Sequence, residues 1–167
     1  RNPSWFIDNA GVLLDGLSTF PGAKTDIGVR KELSSGATQT IFISSSISES
    51  TPVFSPNGKV IYFLSDRKIW AVSTSIGTTS TVDDSRLAKS WKISDLVASE
   101  DRLAVGPEGI LYCGSHGRIW SVDPTRPPND NARPLTEGPN DAYASVSPNG
   151  ARLAFVRGGN QVMEANW

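Results

Sequence analysis

Three acidic residues stand at matching places along this chain. Glu49 lies seven positions before Pro56, Asp101 six before Pro107, and Asp141 seven before Pro148. If the segments that carry them are arranged about one axis, three carboxylates converge. Converging carboxylates raise one another's pKa unless a cation sits among them. Ca²⁺ suits such a set because it takes oxygen ligands. An Arg or Lys side chain of a partner peptide suits it equally. The alternative is local: each acid caps a turn or accepts backbone N–H bonds. No residue is assigned a catalytic role. The single histidine, His116, follows Ser115, but the chain has no Gly-x-Ser-x-Gly elbow. Ser115-His116-Gly117-Arg118 replaces the Asp66-Arg67-Lys68 turn of the preceding copy, so His116 reads as a turn residue. One Cys and one His cannot make a Cys/His metal site. Cys113 has no partner for an intrachain disulfide and reads as a small buried hydrophobe.

The elements that must position the acids repeat. Ser55-Pro56-Asn57-Gly58 returns as Gly106-Pro107-Glu108-Gly109 and as Ser147-Pro148-Asn149-Gly150. Pro fixes φ, and Asn-Gly accepts positive φ, so each copy reads as a tight hairpin turn. A strand follows each turn. Residues 59–65 carry apolar side chains on both faces, which predicts burial on both sides. A second turn and another strand come next, and Ile69-Trp70-Ala71-Val72 reappears as Ile119-Trp120-Ser121-Val122. The two tryptophans at matched mid-strand positions read as packing residues between sheets. A degraded copy opens the chain, with Pro3-Ser4-Trp5 and Gly11-Val12-Leu13-Leu14 as its first two strands.

Several strands per period of about 40–50 residues is the pattern of β-propeller blades. The fold class is therefore all-β, built of antiparallel four-stranded sheets, with about three and a half blades in this chain. The blades fall near 1–49, 50–99, 100–135 and 136–167, the last incomplete. Residues 90–93 supply the outer strand of the second blade, and Pro124 to Pro128 an exposed connection in the third. Such an arc leaves a blade face uncovered. Closure comes from a longer polypeptide, from a second chain that completes the propeller, or from a small four-bladed ring. The chain has no initiator Met and no signal peptide, which reads as a mature or trimmed chain.

Composition narrows the partners. The 16 basic residues nearly balance the 17 acidic ones. No basic stripe interleaved with aromatics is present, so nucleic acid is not an expected partner. No apolar run approaches the roughly 20 residues that cross a bilayer as a helix.

Thr136-Glu137-Gly138-Pro139-Asn140-Asp141 and the following Ser145-Val146-Ser147-Pro148-Asn149-Gly150, with the strand to Phe155, resemble the repeat of TolB-type propellers. Thr51 to Ser73 is similar. The chain departs from that repeat where its usual Asp is Asn57, Glu108 and Asn149. The resemblance implies a ring of about six blades and a non-catalytic scaffold that binds a protein or peptide at the channel mouth or rim. Two other classes share the blade. One is the gating propeller of a prolyl-oligopeptidase-like serine peptidase. The other is a gluconolactonase-like metal-dependent hydrolase, to which Glu137-Gly138-Pro139 and Ile119-Trp120-Ser121-Val122-Asp123 are similar.

Overall fold

A computed structural model describes residues 4–5, 11–15, 27–31, 38–42, 49–73, 90–99 and 102–166, with side chains described within 51–73, 90–99 and 102–166. Every described element is a strand. They run β1 (Ser4–Trp5), β2 (Gly11–Asp15), β3 (Ile27–Lys31), β4 (Thr38–Phe42), β5 (Glu49–Phe54), β6 (Val60–Ser65), β7 (Lys68–Ser73), β8 (Trp91–Ser94), β9 (Leu103–Val105), β10 (Leu111–Ser115), β11 (Arg118–Val122), β12 (Ala132–Pro134), β13 (Asp141–Val146), β14 (Arg152–Arg157) and β15 (Gln161–Asn166). They form four sheets in sequence order: β1 to β4, β5 to β8, β9 to β12, and the three-stranded β13-β14-β15. Every strand pairing resolved between these elements is antiparallel. The expected meanders and the outer strand of the second blade, at 91–94, are present, and 38–42 supplies a fourth strand to the first sheet. The chain divides into two compact units, residues 1–66 with 70–91, and 67–69 with 92–167.

In the first unit, β6 carries Ile61, Phe63 and Leu64 at 2% exposure or less, with Tyr62 also buried. No inside–outside alternation is visible in it, as expected of a strand covered on both faces. In the second unit β10 is buried along its whole length, including Cys113 as a free thiol. There Ala104, Tyr112 and Ile119 of one sheet pack with Ala144, Leu153 and Phe155 of the three-stranded sheet. β14 does alternate: Leu153 and Phe155 are buried, Arg152 and Ala154 exposed. One face of that sheet is covered and the other is open.

The three Pro turns share one scaffold with a difference in length. In the first, Gly58 N–H donates to Ser55 O at 2.9 Å and Ser55 N–H to Val60 O at 2.8 Å. In the third, Gly150 donates to Ser147 O and Ser147 to Arg152 O, both at 2.9 Å. Side chains brace both. Asn57 Oδ1 accepts from Ser55 Oγ and from Lys59 N–H, while Ser55 Oγ accepts from Val60 N–H. Asn149 and Ser147 repeat this set. The second turn closes one residue sooner, since Gly106 N–H reaches Ile110 O. Gly106 and Glu108 supply neither brace, and the extra residue is not held. The Asn-Gly reading needs one correction. Only the glycines take positive φ, at 67°, 87° and 74°. Asn57 and Asn149 act through their side-chain oxygens instead.

In the second and third sheets the hairpins between second and third strands are two-residue turns at Asp66-Arg67, with φ of 49° and 58°, and His116-Gly117, with φ of 50° and 73°. Two successive positive φ values match the twist of the flanking strands. Trp70 and Trp120 are half-buried and stand outside the fully buried core. Trp120 instead donates its Nε1–H to Ser115 O at 3.1 Å, which ties its strand to the turn.

Candidate functional site

The hairpin turns and the strand entries that follow them are knitted into one rim of the second unit. Ala98 N–H donates to Arg67 O, Ser99 N–H to Gly114 O, Asp141 N–H to Gly117 O and Gly158 N–H to Asn140 O, at 2.6 to 3.0 Å. Gly138 is needed here. A Cβ on it would stand 2.8 Å from Gly117 O, and its φ is 75°.

Asp141 opens β13 on this rim. Its carboxylate is buried and accepts two bonds from Arg157: Nε to Oδ1 at 2.7 Å and Nη2 to Oδ2 at 2.9 Å. The two residues are direct cross-strand partners. The Arg157 guanidinium holds the Asp141 carboxyl below the usual carboxylate range, against the effect of burial. The Thr136 hydroxyl and the Gly138 amide add to it. A charge-assisted fork of this kind is the strongest class of side-chain hydrogen bond. The cation beside Asp141 is thus supplied by the neighbouring strand. Arg157 lies 5.5 Å from the centre of the Phe155 ring and keeps part of its guanidinium in solvent.

The other two acids are placed less fully. Glu49 opens β5 opposite Ser65 rather than an arginine, and its side chain is outside the described residues. Asp101 lies outside them as well. The backbone offers its own match to Asp141 in the preceding sheet. The amide that reaches back to a hairpin carbonyl there is that of Ala98, to Arg67 O. Among the described residues, no group of three His, Cys, Asp or Glu side chains is placed to hold a metal ion.

Two residues from the sequence gain a clear local role. Ser115 Oγ donates to Val97 O at 2.7 Å, so its contact with His116 Nδ1 at 2.8 Å requires the ring N–H as donor. That is the reverse of what a general base needs. Glu137 is exposed and acts on Arg157 through charge.

Tyr143 carried no signal in the sequence. β13 slips register between Ala142 and Ser145, and Tyr143 sits in this bulge with φ of 58° and 54% exposure. Thr51 occupies the same place in β5, with φ of 48° and a register slip between Ser50 and Val53. A left-handed backbone at a non-glycine residue costs roughly 1–2 kcal/mol. Only the exact match of both positions to the Pro turn, five residues on, could have marked them.

No protein-family model matches the chain, and no curated protein matches it. Solved structures do. TolB from Acinetobacter baumannii is similar over 97% of this chain and 39% of its own, with a TM-score of 0.71 and 19% identity. A gluconolactonase from Xanthomonas campestris is similar over 95% and 54%, at 0.66 and 12%. A chain of a nidogen/laminin complex is similar over 92% and 57%, at 0.63 and 12%. The chain spans less than two thirds of each. These likenesses establish that the four sheets are blades of a TolB-like β-propeller fold.

Proposed function

We propose that the chain is a propeller segment, with blades near 1–49, 50–99, 100–135 and 136–167, that binds a protein or peptide without converting it. The mouth marked by Asp141 and Arg157 is the proposed binding place. Glu49 and Asp101 are proposed to contribute from the neighbouring blades. The observation that carries the reading is Tyr143, a large aromatic held in a strained bulge and turned to solvent two residues beyond a fixed Asp141–Arg157 fork. The same bulge at Thr51 is buried, so it is the exposure of an aromatic beside the fork, rather than the bulge, that points to recognition. Tyrosine and arginine are among the side chains that carry most of the energy at protein interfaces. The nidogen/laminin structure is a complex of a similar propeller with a protein, which supports the same class of partner.

The test is selection of displayed peptides on the wild-type chain, followed by titration of the enriched peptides. The expected result is saturable binding that weakens at least about fivefold, roughly 1 kcal/mol, in Tyr143→Ala. Enriched peptides that bind Tyr143→Ala and Arg157→Gln as tightly as wild type would overturn the placement. Failure to enrich any peptide would overturn the function.

A further inference from the structure

An asparagine modifies itself most readily when glycine follows, because glycine has no Cβ to obstruct its amide nitrogen. The chain carries this pair twice, at Asn57-Gly58 and Asn149-Gly150, each time inside a Pro turn. Both asparagines are exposed. The reaction needs only water. The glycine nitrogen attacks the asparagine Cγ and closes a succinimide ring. The Cγ–Nδ2 bond breaks, and ammonia leaves with the proton of the glycine N–H. Water then opens the ring at one of its two carbonyls, giving aspartate or isoaspartate. The new acid's proton passes to the ammonia, so an amide and water become a carboxylate and ammonium. The second turn has Glu108 in place of the asparagine and cannot react in this way.

The folded turns occupy the groups that this reaction must move. Gly58 N–H donates to Ser55 O and Gly150 N–H to Ser147 O, both at 2.9 Å. The Asn57 carboxamide is held through Oδ1 by Ser55 Oγ at 2.8 Å and Lys59 N–H at 3.0 Å. Ser147 Oγ at 2.8 Å and Ala151 N–H at 3.1 Å hold Asn149 in the same way. Gly150 is also buried, with Glu108 and Pro107 packed over it. A carboxylate there opposes the negative charge that a departing amide proton would leave. We propose that Asn57 and Asn149 are latent deamidation sites, held closed by the folded Pro turn and released to react when that turn opens. Three hydrogen bonds must be given up in each turn, which slows the reaction on the order of a hundredfold. Each event adds one negative charge to a chain whose formal net charge is −1, so ion exchange separates the products. The inference stands apart from the binding reading above and does not depend on any partner.

Incubation of the full chain at mildly alkaline pH, with peptide mapping by mass spectrometry at intervals, tests this. Rates at Asn57 and Asn149 are followed in the folded chain, in the same chain unfolded in guanidinium, and in folded Ser147→Ala. The expected result is that both asparagines react on the order of a hundredfold faster in guanidinium than in the folded chain. Ser147→Ala removes one of the bonds that hold Asn149, so Asn149 should react about fivefold faster. Asn57 in the same molecules should keep its wild-type rate, and the circular dichroism should match wild type. Folded rates within a few-fold of the guanidinium rates would overturn the proposal, because the turns would then guard nothing. An unchanged Asn149 rate in Ser147→Ala would overturn it as well. So would equal acceleration of both asparagines in that variant, since unfolding of the whole chain rather than opening of one turn would then expose them.

Discussion

At the residue scale, the Asp141–Arg157 fork fixes both the local structure and its response to pH. Asp141 titrates below its unfolded value, so the stability it contributes is complete above about pH 4. That contribution is lost as pH falls through its lower folded value. Asp141→Asn should therefore lose roughly 1.5–3 kcal/mol at neutral pH, the usual worth of bonds to a charged group. It should also show a shallower acid limb in denaturant melts taken between about pH 2 and pH 5. An unchanged acid limb would mean that Asp141 does not depend on Arg157. The Ser and Asn braces are smaller effects. Ser147→Ala removes an acceptor for Arg152 N–H and a donor to Asn149, and should cost about 1 kcal/mol in a chemical melt. In the second turn Glu108 replaces the Asn and a Cβ on Gly106 would stand 3.2 Å from Tyr112 Cε2, so Gly106→Ser should give no matching gain. The acids were legible as a spacing, yet their bonding was not. Nothing in a spacing reveals that Arg157 faces Asp141 while Ser65 faces Glu49, because that follows from register across the hairpin.

At the scale of elements, the repeat was readable because each turn must reverse the chain within four residues, and few residue types permit that. Strand 60–65 was readable as buried because a strand covered on both faces cannot alternate, and within 111–115 Cys113 was readable as a small buried hydrophobe. What escaped was the one-residue difference among the Pro turns, since it depends on which amide a serine hydroxyl can hold. The bulges at Thr51 and Tyr143 escaped for a similar reason: neither residue type advertises a left-handed backbone. The turns of the third and fourth blades also meet. A Cβ on Gly150 would lie 2.4 Å from Glu108 Oε1 and 3.0 Å from Pro107 Cγ, at a φ of 74°. The glutamate can swing aside, whereas the proline ring and the backbone cannot. Gly150→Ala should lower stability by at least about 1 kcal/mol, and Glu108→Ala should recover only part of it. Full recovery in the double variant would show that neither the Pro107 ring nor the left-handed backbone resists the added methyl group, and no recovery would show that Glu108 does not crowd it.

At the scale of the molecule, the propeller class follows from four meanders repeating along the chain, and the solved structures of similar fold agree with it. Function is less legible because this blade carries unrelated activities, so it must be argued from the site rather than the fold. Among the described residues no helix is long and apolar enough to cross a membrane. The central claim is that the chain recognises a peptide and does not transform a substrate. Calorimetric titration separates these two outcomes, because binding heat saturates whereas turnover heat continues. The account predicts saturating heat with selected peptides, diminished in Tyr143→Ala, and no sustained heat when a sugar lactone is injected with Ca²⁺ present. Sustained heat from the lactone, or peptide heats identical in wild type and Tyr143→Ala, would contradict it.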